Sequence, residues 1–375
     1  MRAASAAGAS RPRAPAGYFG KEEGRRRLVA ALAVLLGLAA PVAAQEHGFA
    51  GLGTDAEGFA LPDPAAVLAF PRDHGAHPAF RIEWWYLTAT LRGEDGRDYG
   101  AQWTLFRSAL APQGPEAGWA TPQVFMAHAA VTTPGAQHVA ERFGRGGVGQ
   151  AGVTAAPFAA WIDEWRMAAP DAASGIDRLT VSARGAGFGY RLEAVAEGPV
   201  VLHGQGGYSV KGAGGQASHY YSQPFYRVSG TLVLPEGEIA VSGRAWLDRE
   251  WSSQPLDRAQ TGWDWFALTL DDGRRLMAAE VRGARPYRFG SLIGPDGAVT
   301  PLEGGALRIE PGPGAVPASF RLAVPGAGLD LTVVPVNPEA WMTTTIPYWE
   351  GPVRVTGSAA GAGYLEMTGR PRPRR

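Results

Sequence analysis

Glu83-Trp84-Trp85-Tyr86-Leu87-Thr88-Ala89-Thr90-Leu91 runs through Gly93-Glu94-Asp95-Gly96 into Tyr99-Gly100-Ala101-Gln102-Trp103-Thr104-Leu105-Phe106. Aromatic and β-branched residues on both sides of an Asp-Gly turn predict a β-hairpin. The pattern returns downstream. Trp263-Asp264-Trp265-Phe266-Ala267-Leu268-Thr269-Leu270 leads into Asp271-Asp272-Gly273-Arg274, as the first run leads into Asp95-Gly96-Arg97. Short apolar runs at Leu179–Ala183, Tyr190–Val195, Val228–Leu234 and Phe320–Val324 fit further strands, and no stretch reads as a long amphipathic helix. Ala159 to Met167 fits a helix by composition and a strand by its tryptophans. The echo and the length of 375 residues together predict an all-β chain of two similar units, built as a sandwich or, better, as closed barrels.

Composition narrows the function. Lys and Arg total 35 against 35 Asp and Glu, which argues against a nucleic-acid partner or attachment to anionic lipid by charge. The absence of cysteine removes disulfides, thiol catalysis and Cys-ligated metal centres. No Gly-x-Ser-x-Gly elbow, P-loop or Gly-x-Gly-x-x-Gly follows a strand, so acyl-enzyme, nucleotide and nicotinamide chemistry lack support. Arg25-Arg26-Arg27, the apolar run Leu28 to Leu38 and Pro41-Val42-Ala43-Ala44 read as a secretory leader cut after Ala44. The alternative, an uncleaved anchor, asks that short run to cross roughly 30 Å of hydrocarbon. The expected layout is a leader with its extension over 1–44, a Gly/Pro-rich lead over 45–69, and β units over 70–243 and 244–370. The mature chain is expected in the periplasm or secreted, with no membrane span.

The densest chemistry is Trp246-Leu247-Asp248-Arg249-Glu250-Trp251-Ser252-Ser253-Gln254. Alternation along a strand puts Trp246, Asp248 and Glu250 on one face and Leu247, Arg249 and Trp251 on the other. Two readings stand for Asp248: a carboxylate held by Arg244 or Arg249, which the residues alone favour, or a buried acid of raised pKa fit for proton donation. In Phe70-Pro71-Arg72-Asp73-His74-Gly75-Ala76-His77-Pro78 the two histidines lack the spacing of a zinc helix, so no metal and no cofactor is expected. That loop should fold over a barrel rim, with Arg72, Arg81 and Glu83 in an ion-pair network. Glu83 remains a weaker carboxylate candidate. In Ser218-His219-Tyr220-Tyr221-Ser222, His219 is either a proton relay or a hydrogen-bonded core histidine.

These words together resemble the family of carotenoid 1,2-hydratases and AttH-like proteins. The resemblance implies two lipocalin-like β-barrel units packed side by side. In the hydratase branch an aspartic acid protonates a carbon–carbon double bond and water adds to the cation, which aromatic rings steady. By that resemblance Asp248 matches the proton donor, with Trp246 two residues before it in an aromatic position and His219 and Tyr221 as a His-x-aromatic pair upstream; Trp85, Trp263 and Trp265 are further candidates to line a cavity for an apolar ligand. Two functions follow: a hydratase acting on a polyene, terpenoid or lipid, or a non-catalytic periplasmic carrier of such a molecule working with an export permease.

Overall fold

A computed structural model describes residues 49–372; the leader expected over 1–44 lies outside them. The described chain is built of strands and short 3-10 turns, with no α-helix among the described residues. Its strands form two antiparallel sheets of thirteen and ten strands. In the first, Ile82–Gly93 pairs on one side with Asp98–Ala109 and on the other with Gly237–Ser252, so the first long strand of the unit lies against its last. The second repeats the plan: Gln260–Leu270 lies between Arg275–Gly283 and the final strand Gly361–Met367. The two words that echo each other in sequence are thus the opening strands of two nearly closed barrels. Each Asp-Gly turn has its glycine at positive φ, 78° at Gly96 and 90° at Gly273, where a side chain would be strained.

The expected unit boundary at 243/244 would cut the continuous strand Gly237–Ser252; the chain leaves one sheet for the other between Ser252 and Gln260. Of the two readings of Ala159 to Met167 the structure takes the strand: Phe158–Ile162 and Trp165–Ala168 pair as a tight hairpin.

Both barrels are filled. Trp85, Leu87, Trp103, Leu105, Trp165 and Leu247 belong to the core of the first unit, and Phe266, Leu268, Leu276, Leu322, Leu331 and Leu365 to that of the second. With alternate side chains pointing to opposite faces, the other face of these strands carries a third apolar cluster. Tyr86 and Trp246 of the first unit meet Trp265, Met277, Val281 and Phe289 of the second there. The units approach so closely that a Cβ on Gly100 would lie 2.5 Å from the Tyr364 hydroxyl and 2.7 Å from Pro352. Any larger residue would wedge them apart.

The rim loop packs over the end of the first barrel. Glu83 is fully buried and takes hydrogen bonds from Arg107 Nε (2.6 Å), Arg249 Nη2 (3.3 Å) and the His77 backbone (2.9 Å), with His77 Nδ1 at 2.6 Å. The Arg249 guanidinium also lies 4.0 Å from the Trp85 ring centre. The network exists with partners other than those expected: Arg72 bonds Asp73, and Arg81 reaches the Leu52 carbonyl.

Candidate functional site between the two units

A cavity of about 950 Å³ lies where the outer faces of the two barrels meet. Trp84, Tyr86 and Phe106 wall it from the first unit and Trp263, Trp265 and Phe289 from the second. Asp248, Glu250, Lys211 and Glu366 are among the ionisable side chains that line it. Its size and its few polar groups among apolar walls suit an extended apolar molecule.

Asp248 sits on this wall because Ser222 is its direct neighbour on the adjoining strand. Its Oδ1 accepts hydrogen bonds from the Ser222 hydroxyl and from Trp246 Nε1 at 2.7 Å. Burial pushes its pKa up to about 7, overriding those two donors, and the charge of Glu250 adds to the rise. Among the described residues no arginine pairs with it; Arg249 points to the opposite face, into the first barrel. With Oδ1 taking both hydrogen bonds, the proton belongs on Oδ2. Ser222 is oriented in turn by His203, whose Nε2 lies 2.6 Å from its hydroxyl and whose Nδ1 lies 2.9 Å from the Ser291 hydroxyl. Burial, then the charge of Lys211, brings the His203 pKa down to about 3, so the ring is neutral and serves to aim Ser222.

Glu250 is balanced by Lys211, whose Nζ lies 3.2 Å from it, and accepts a 2.6 Å hydrogen bond from Ser218. Lys211 is buried against the faces of Tyr220 and Phe289, at 4.3 and 4.4 Å, and burial lowers its pKa. On the far wall, Glu366 is the direct cross-strand partner of Glu350. The Tyr86 hydroxyl, crossing from the first unit, donates to Glu350 Oε1. Burial is the main cause that raises both pKa values, and for Glu350 the neighbouring Glu366 charge is the next.

The structure divides the residues expected from sequence. Asp248, Trp263 and Trp265 line the cavity, and Trp246 supports Asp248 from beside it. His219, Tyr221, Trp85 and Glu83 lie on the other side of the same strands. His219 does not meet Asp248. His219 is three residues from Ser222, an odd offset, and alternation turns it away. It packs against Trp251 (ring centres 5.3 Å apart) and Phe80 (5.9 Å) and accepts the Asp63 N–H at 3.4 Å. Tyr221 bonds His74 Nδ1 at 2.6 Å inside the first barrel, and Tyr220 takes the cavity side in its place. His74 is neutral, with its pKa lowered to about 4 by burial and by Arg249. Among the described residues no group of three or more His, Asp or Glu side chains is placed to hold a metal ion.

Sequence reasoning missed Lys211, His203, Glu350 and Glu366. One pattern could have found the last two. Tyr348-Trp349-Glu350 and Tyr364-Leu365-Glu366 repeat the aromatic-apolar-carboxyl order of Trp246-Leu247-Asp248, which on a strand sets each acid on the same face as an aromatic ring.

Comparisons with known proteins agree with this fold. A solved structure named for AttH, from Nitrosomonas europaea, is 31% identical, with a TM-score of 0.74, over 84% of this chain and 100% of that one. Kievitone hydratase from Nectria haematococca shares the fold at 14% identity and a TM-score of 0.58, over 82% of this chain and 97% of its own. No curated protein matches the chain. Residues 61–370 match the profile of the AttH-like family, and the chain is a member of that family.

Proposed function

We propose that the protein binds an elongated apolar alkene, polyene or terpenoid in nature, between its two units and hydrates a double bond in it, with Asp248 as the proton donor. The observation that carries this reading is a buried carboxyl of raised pKa, pinned through Oδ1 by Ser222 and Trp246, facing an aromatic-walled apolar cavity. The Asp248 Oδ2–H bond breaks as a C–H bond forms at the less substituted alkene carbon. The cation left on the other carbon is steadied by the faces of nearby rings. Water adds there and gives up one proton, so alkene plus water becomes alcohol with no change in oxidation state. The shared fold of a hydratase supports the reading. The apolar run Leu28 to Leu38, followed by small residues up to Ala44, supports export of the mature chain, which N-terminal sequencing of the natural protein tests.

Squalene, with its trisubstituted terminal double bonds, is the probe. Wild type should convert it to a tertiary alcohol, and Asp248→Asn should lower the rate by roughly 10²–10⁴, the usual worth of a general acid, while still binding squalene. Binding by both proteins with turnover by neither would assign a carrier instead.

A further inference from the structure

Hydration needs a proton acceptor for the attacking water as well as a donor for the alkene, and the cavity walls hold carboxyls from both units. Glu250 is already engaged through Oε1 by Lys211 and Ser218. The second unit presents a different arrangement. Glu350 and Glu366 stand directly opposite each other on adjacent strands, Tyr348–Gly357 and Gly361–Met367. Glu366 faces the cavity that Asp248 faces, whereas Glu350 lies behind it at 1% exposure. Two buried carboxyls on directly paired strand positions do not readily ionise together, so loss of a proton leaves the other shared between them with one negative charge. Glu350 Oε2 is buried without a hydrogen-bond partner, which leaves it free to take that shared proton.

The pair is also close to the acid. Tyr86 lies directly across the strand ladder from Asp248, and its hydroxyl donates to Glu350. One tyrosine side chain thus spans the distance from the strand beside the acid's to the pair. The charge of Asp248 is among the causes that raise the pKa of Glu366.

We propose that Glu366 is the base that deprotonates the attacking water, with Glu350 as the positioning residue that shares and sets its proton affinity. The proposal rests on the acid role of Asp248. Asp248 gives its proton to carbon, the water oxygen bonds the cation, and one water O–H bond breaks in favour of Glu366. The pair then holds two protons and Asp248 is ionised. Return of one proton from the pair to Asp248 closes the cycle with no external co-reactant.

Squalene incubated with the full chain in D₂O, and in parallel in H₂¹⁸O, separates the steps. Reversible protonation by Asp248 places deuterium in recovered squalene, whereas completed addition places ¹⁸O in the alcohol. Glu366→Gln should retain deuterium uptake at the wild-type rate and lose roughly 10²-fold or more of ¹⁸O alcohol formation. Glu350→Gln should move the rising limb of alcohol formation to lower pH, since removing the neighbouring carboxyl lowers the proton affinity of Glu366. Equal loss of both labels in Glu366→Gln, or loss of neither, overturns the assignment of the base while the acid reading stands. Absence of deuterium uptake by wild type overturns the acid reading and this proposal with it.

Discussion

Replacing Asp248 by Asn should stabilise the protein at alkaline pH and leave it unchanged in acid. Asn is close in shape to the protonated acid, and its amide carbonyl can accept from both Ser222 and Trp246, as Oδ1 does now. The folded pKa of about 7 stands above the ordinary 3.8. Between those values the native state holds one more proton than the unfolded chain, so stability falls as pH rises. The shift is roughly three pKa units, and at about 1.4 kcal/mol per unit the penalty grows to at most about 4 kcal/mol once pH passes 7. Asn carries no such penalty. Urea denaturation followed by tryptophan fluorescence, at about pH 4, 6 and 8, should show the two proteins alike at the lowest pH and the variant ahead by a growing margin above it. A variant that is less stable at the highest pH, or an offset that does not grow with pH, would refute a buried, protonated Asp248.

Glu83→Gln should act in the opposite sense. It leaves the Arg107 and Arg249 guanidiniums buried without their carboxylate, a loss of about 3–5 kcal/mol in denaturant midpoint experiments. The wild-type carboxyl, pulled below its ordinary 4.5 by Arg107 and its other partners against the opposing effect of burial, supports stability above that pH and loses it on acidification. The variant should lack that acid-limb slope. Gly100→Val should destabilise by about 1–3 kcal/mol through overpacking and weaken squalene binding, measured by tryptophan quenching. Gly326→Ala, with no atom within 4 Å of the added Cβ, should be silent by comparison. The ring of His203, buried and bonded through both nitrogens, should show no imidazole titration by NMR across the neutral range.

The hairpin word at Glu83–Phe106 and its echo at Trp263–Arg274 made the two-unit β fold legible, because turn chemistry and strand alternation are local. Alternation also placed Trp246, Asp248 and Glu250 on one face, as the structure has them. The pairing of faces across strands was not legible. Whether His219 or Ser222 adjoins Asp248 depends on register between Ala217–Leu234 and Gly237–Ser252, which residues far along a long hairpin determine together. A shift of one position would exchange Tyr220 for Tyr221 at the cavity. Nor could a single strand's pattern reveal that both barrels are solid and that the space lies between them. Strands buried on both faces, such as Ile82–Gly93, lose the alternation that tells inside from outside. Glu350 and Glu366 come together only through the closing strands of the second unit.

The cavity belongs to neither sheet, and among the described residues no ladder hydrogen bond passes from one sheet to the other. The contacts that join the units are side-chain ones, such as Tyr86 to Glu350, His128 to Tyr348 and Arg354 to Asp98. Residues 253–259 carry the chain across. Parting that seam would break side-chain contacts and leave every strand ladder intact, which would open the cavity sideways. A ligand enclosed inside one barrel would have only the barrel's ends as doors.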